Sequence, residues 1–188
     1  MKRLFLCIIA CLLAMNLSFG QNAKLAKAAQ EIVDHNIVYD PSYVRIPYPN
    51  GDVNPKRGVC TDVIIRACRK TGIDLQKEVH EDLKANFDKY PKRWGRKEPD
   101  TNIDHRRVPN LMTFFSRRGQ VLPITNSPKD YKQGDIVCWD LGNGILHIGI
   151  VVDSQQVVHN IGYGQIMEDC LFRWKIIGHY SYPKIDEK

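Results

Sequence analysis

The chain has 188 residues, 43% of them hydrophobic, with 27 basic and 21 acidic side chains and a formal charge of +6. That length suits one domain with a sizeable core. The modest positive excess fits an anionic polymer such as cell wall and gives no reason to expect nucleic acid as a partner.

Met1-Lys2-Arg3 is a basic start, Leu4 to Leu17 an apolar run, and Ser18-Phe19-Gly20 supplies small residues before a cleavage point at Gln21. Residues 1–20 therefore read as a signal peptide, and 21–188 as the mature domain. The apolar run is too short and wrongly flanked for a membrane span, so no stable membrane insertion is expected. Ile8-Ile9-Ala10-Cys11 resembles a lipoprotein box but stands very early. The expectation is a soluble, exported monomer, periplasmic or extracellular. Losing Lys2 and Arg3 lowers the formal charge from +6 to +4. Cys60, Cys68, Cys138 and Cys170 remain, and the sequence does not say which of them could pair in an oxidising compartment.

Residues 22–38 read as an amphipathic helix striped by Leu25, Ala28, Ala29, Ile32 and Val33. Tyr39 to Ser42 breaks it, and Tyr48-Pro49-Asn50-Gly51-Asp52 is rich in turn formers. A second helix follows Gly58, with Val59, Val63, Ile64 and Ala67 on one face and Gly72 as its stop. Cys60 falls in its first turn, where free N–H groups and the helix dipole favour a thiolate.

Residues 75–130 are the least regular. Leu75 to Phe87 and Val108 to Arg118 have helical patterns, and the charged loop from Tyr90 to Arg107 holds Trp94 among Arg93, Arg96 and Lys97, then Asp104, His105, Arg106 and Arg107. From Gly134 the period shortens to two. Strands are expected at Gly134 to Trp139, Ile145 to Val152, Val157 to Ile161 and Lys175 to Tyr182, with a turn at Asp153 to Gln156. Helices first and an antiparallel sheet afterwards indicate an α+β domain.

Two histidines, His147 and His159, lie in the hairpin. A cysteine at a helix start with an imidazole and a further polar group is the arrangement that activates a thiol nucleophile. His159 and Asn160 are adjacent, so only one of them can share a strand face with His147; hairpin parity decides which.

These residues resemble the NlpC-type branch of the papain-like cysteine peptidases. The resemblance rests on Cys60 opening a helix, Gly134-Asp135-Ile136-Val137 entering a strand, His147-Ile148-Gly149-Ile150, and a polar residue on the next strand. It covers roughly residues 25–72 and 134–182, and the overall pattern is similar to an uncharacterised bacterial family within that superfamily. Val59 stands where an aspartate is usual, Thr61-Asp62 where Ser-Gly is usual, and the insertion at about 75–130 is long. The resemblance implies a papain-like fold with N-terminal helices packed on the sheet, and hydrolysis of amide bonds in peptidoglycan stem peptides through Cys60, His147 and His159. It also implies oxyanion support from Tyr48 and no metal or organic cofactor. Asn160 is kept as a supporting residue. Trp94, Arg93, Arg96, Asp104, His105 and Arg107 are candidate substrate contacts, against a reading as solvated surface or structural ion pairs. Other readings stay open: an inactive homologue that binds cell-wall peptide, and a thiol acyltransferase or esterase; zinc binding by Cys60, His147 and His159 has no Cys/His pair at ligand spacing to support it.

Overall fold

The computed structural model describes residues 22–95 and 97–183. The first helix, α1, covers residues 22–31 and buries Leu25, Ala26, Ala28 and Ala29. It stops seven residues short of the expected 38, and a two-stranded parallel ribbon follows, β1 (Val38–Tyr39) with β2 (Arg57–Gly58). Helix α2 spans Cys60–Lys70. Its start is fixed by Asp62, whose carboxylate accepts the Val59 N–H at 2.7 Å, and its end by Gly72 at φ 87°.

Residues 75–130 are more ordered than their composition suggests. They supply α3 (Leu75–Ala85), capped by the Asp74 carboxylate on the Lys77 N–H, and α4 (Val108–Arg118), with Pro109 in its first turn. A short strand, β3 (Gln120–Val121), follows α4.

The remaining strands are β4 (Ile136–Asp140), β5 (Leu146–Asp153), β6 (Gln156–His159), β7 (Ile166–Asp169) and β8 (Lys175–Ser181). They form one antiparallel sheet in the order β3-β8-β4-β5-β6-β7. The chain is α+β, as expected. Both faces of the sheet are covered. Ile136, Cys138, Ile148, Ile150, Val152 and Val158 join α1, α2, α3 and α4 in the main core. Val137, Trp139, Val151 and Val157 face the other way, against Tyr131, Cys170 and Leu171. This double coverage explains why β4 and β5 read as continuous apolar runs rather than alternating ones. Among the described residues Cys60, Cys68, Cys138 and Cys170 are free and buried, with Cys68 and Cys138 in the main core and Cys170 beyond the opposite face.

A polar cluster sits under α2. Arg106 donates to both oxygens of Asp62 at 2.9 Å, and Arg66 donates to Gln165 at 2.7 Å and to the Arg57 carbonyl at 2.7 Å. Gln165 in turn donates to the Ile32 carbonyl. These contacts tie α2 to the loop before α4, to the ribbon and to the end of α1.

Candidate active site

Cys60 is the first residue of α2 and is 4% exposed. Three backbone N–H groups, those of Ile148, Thr61 and Cys60 itself, favour its thiolate. Desolvation outweighs them, the Asp62 carboxylate adds repulsion, and the thiol is pushed up to about 12. The helix start alone led to an expected thiolate; burial reverses that, and the resting group is a neutral thiol.

His147 lies at the start of β5, directly across from Trp139, and the two rings stack at 5.6 Å. Trp174 closes over the edges of both histidines. His147 Nε2 and His159 Nδ1 are 2.7 Å apart, and His159 Nε2 and Glu168 Oε1 are 2.9 Å apart. Arg173 grips Glu168 with two hydrogen bonds of 2.8 Å. His159 is therefore the residue that meets His147. Asn160 instead donates to the Gly58 carbonyl at 3.4 Å, behind the start of α2.

This chain of groups fixes its own tautomers. Arg173 and His159 hold the Glu168 carboxyl below its usual range, so it only accepts. His159 must then carry its proton on Nε2, His147 must carry its proton on Nε2, and His147 Nδ1 is left as the open base. Burial pushes His147 down to about 3, with neighbouring His159 adding to the effect. Gly149 makes the approach possible, because a Cβ there would lie 2.6 Å from Val157 Cγ1 and 3.1 Å from His159 Cβ.

Cys60 and His147 both lie near the start of β5, without a hydrogen bond between them among the described residues. Cys60 reaches the backbone of Ile148, and His147 is the residue before it. Ile148 belongs to the helix-side core, whereas the His147 ring stacks with Trp139 of the opposite cluster. Strand alternation accounts for that separation.

A cavity of about 250 Å³ opens beside Cys60. Its wall includes Tyr39, Arg93, Trp94, Arg106, Arg107 and Leu146, with no acidic side chain among the described residues. The Arg107 guanidinium lies 3.9 Å from the centre of the Trp94 ring. Several expected site residues fall elsewhere. Tyr48 is 42% exposed, packs edge-on against His80 and does not line the cavity. Its neighbour Gly51 serves a turn pinned by Gln76 and Arg69. The tyrosine beside Cys60 is Tyr39, its phenol pushed up to about 12 first by burial and then by Cys60 and Asp62. Three tyrosines precede Cys60 within 21 residues, and only the β1–β2 pairing selects Tyr39. Asp104 and His105 are buried and do not line this cavity; Asp104 lines a smaller one beside Arg93, Trp94 and Arg107. Asp104 receives the Asp100 N–H, and Arg106 is consumed by Asp62. Arg96 lies outside the described residues. Glu168 and Arg173 were not visible as site residues, since nothing in sequence pairs an acid on β7 with a histidine on β6.

His147 and His105 are both pushed down to about 3 by burial, from 6.5 when unfolded. The unfolded chain binds more protons between those values, so their stabilising contribution is complete above about pH 6.5 and is lost as pH falls towards 3. Unfolding free energy from urea titrations should drop by about 1 kcal/mol per pH unit for each histidine between pH 6 and 4. His105→Asn should remove one histidine's share of that slope, and a flat profile in the wild type would contradict the assignment.

Comparison with known proteins adds the following. The solved structures of NlpC2 and NlpC1 from Trichomonas vaginalis each align over 86% of this chain at TM-score 0.49 and 14% identity. This chain spans 47% and 44% of their lengths, under half of each. Uncharacterized protein YijF of Escherichia coli (strain K12) is 51% identical over 167 residues, covering 86% of this chain and 82% of that protein. Residues 26–182 match the family described as Domain of unknown function (DUF1287), and the chain belongs to that family.

Proposed function

We propose that the protein is an exported cysteine hydrolase that cleaves amide bonds in peptidoglycan stem peptides. The observation that carries this reading is a helix-start cysteine on a cavity wall that reaches the β5 backbone next to His147, an oriented imidazole whose Nδ1 is left to accept a proton. As Cys60 Sγ attacks the carbonyl carbon, the thiol proton passes to His147 Nδ1. The Cys60 N–H, with Tyr39 at the cavity wall, faces the developing oxyanion. His147 then returns the proton to the departing amine, leaving a thioester. Water, deprotonated by His147, attacks the thioester and regenerates the thiol. Arg93 on the cavity wall supports a substrate carrying carboxylates.

A second reading is supported by the depth of Cys60 and the missing Cys60–His147 hydrogen bond: a protein that holds cell-wall peptide without turnover. Incubation with defined wall peptides followed by mass spectrometry separates the two. New amine and carboxyl ends support the hydrolase, and intact peptide retained by the protein supports the binder. Within the hydrolase reading, His159→Ala should lose roughly 10²–10⁴-fold in kcat, because the His147 tautomer is no longer held. Asn160→Ala at equal folded yield should lose far less, and the reverse order would remove His159 from its assigned role.

A further inference from the structure

Behind His159, on the side away from His147, three groups with metal-binding atoms converge. The Cys170 sulfur lies 3.7 Å from His159 Nε2, Glu168 Oε1 lies 2.9 Å from the same nitrogen, and all three atoms fall within 4.8 Å of one another. Two donors on a tetrahedral zinc ion, at ordinary bond lengths of about 2.0–2.3 Å, stand roughly 3.3–3.6 Å apart. The two distances to His159 Nε2 need only a few tenths of an ångström of adjustment. His159 and Cys170 are buried, Glu168 is partly open to solvent, and that opening gives an ion a way in. The outer contacts also suit a metal: the second His159 nitrogen bonds His147, and Arg173 steadies the Glu168 carboxylate.

We propose that His159, Glu168 and Cys170 form an inhibitory binding site for a thiophilic divalent cation such as Zn²⁺. Binding deprotonates Cys170, releasing one proton to solvent, and the thiolate and carboxylate together neutralise the ion. His159 gives its Nε2 lone pair to the metal, so its proton moves to Nδ1 and is donated to His147 Nε2. His147 in turn must carry its proton on Nδ1, the atom that serves as base in the free protein. No histidine gains or loses a proton, yet His147 Nδ1 changes from acceptor to donor. The binding step stands by itself, whereas the inhibitory consequence rests on the hydrolase reading.

The test uses purified full-length mature protein with Co²⁺ and Zn²⁺ added as salts. Co²⁺ should bind at one equivalent and give the near-ultraviolet thiolate-to-cobalt band, which Zn²⁺ displaces. Cys170→Ser should abolish the band or weaken binding at least 10-fold, and Cys60→Ser should keep it. A band lost with Cys60→Ser and retained with Cys170→Ser would overturn the site. For turnover of a wall peptide, Zn²⁺ should inhibit the wild type at least 10-fold more tightly than the Cys170→Ser variant. Equal inhibition of both would overturn the tautomer switch. If no peptide is turned over, the cobalt measurement still decides the site.

Discussion

Replacing Cys60 with serine should lower turnover of a wall peptide by about 10³-fold or more while leaving the fold intact. The loss follows from the role of the sulfur, since removing a nucleophile from a coupled set costs nearly as much as removing the whole set. A serine hydroxyl in this position is a far weaker nucleophile than the thiol, and it yields its proton less readily. The fold should hold because the substitution is close to isosteric and a hydroxyl can still accept from the Ile148 N–H. Intact-protein mass spectrometry offers an independent reading: a slow substrate should leave an acyl adduct on wild-type protein and none on the variant. Retained turnover in the variant would move the nucleophile elsewhere.

The largest effect on stability should come from Arg106→Met. Its side chain is 2% exposed and that of Asp62 is 1% exposed, and the pair is joined by two hydrogen bonds of 2.9 Å. Removing the guanidinium leaves a buried carboxylate paired only with the Val59 N–H, and breaking such a pair costs about 3–5 kcal/mol. Domains of this size are stable by only about 5–15 kcal/mol, so the variant should sit near the edge of folding. The double variant Asp62→Leu with Arg106→Met removes the stranded charge and should recover much of the loss. Urea titrations of the two variants read this directly. A single-variant loss below about 1 kcal/mol would show that water or another group reaches Asp62.

Much of the scaffold was legible because its signals are local. Helix α4 matches its expected limits of Val108 and Arg118, and α2 starts at Cys60 and ends before Gly72, where capping chemistry is written in consecutive residues. Strand β8, Lys175–Ser181, follows from a run of β-formers. Strand β7 and its Glu168 were not legible, because a four-residue edge strand between glycines and charges carries almost no pattern. The choice of His159 over Asn160 needed the hairpin geometry, including the irregularity between Val151 and Asp153 that no count of loop residues supplies. Tyr39 on the cavity wall was less legible than Tyr48, because it lies in a two-residue ribbon whereas Tyr48 stands beside a conspicuous turn. The ionisation of Cys60 could not be read at all, since the helix-start effect is local and the desolvation that defeats it comes from the whole fold. Arg106 and Arg107 show the same limit, as neighbours of one residue type with one buried on Asp62 and the other laid against Trp94.

The missing side chain at Gly149 has a mechanical consequence for the hairpin. The space above that residue is filled by Val157 and His159 from β6, so the two strands mesh like a key in a lock at this one point. Sliding β6 along β5 by two residues would drive the His159 ring against a side chain on the same face, Val151 or His147 itself. Sliding by one would turn the ring into the aliphatic core above α2. The cheapest guard against mis-threading of this hairpin is thus an absence, and it sits two residues from the base it protects.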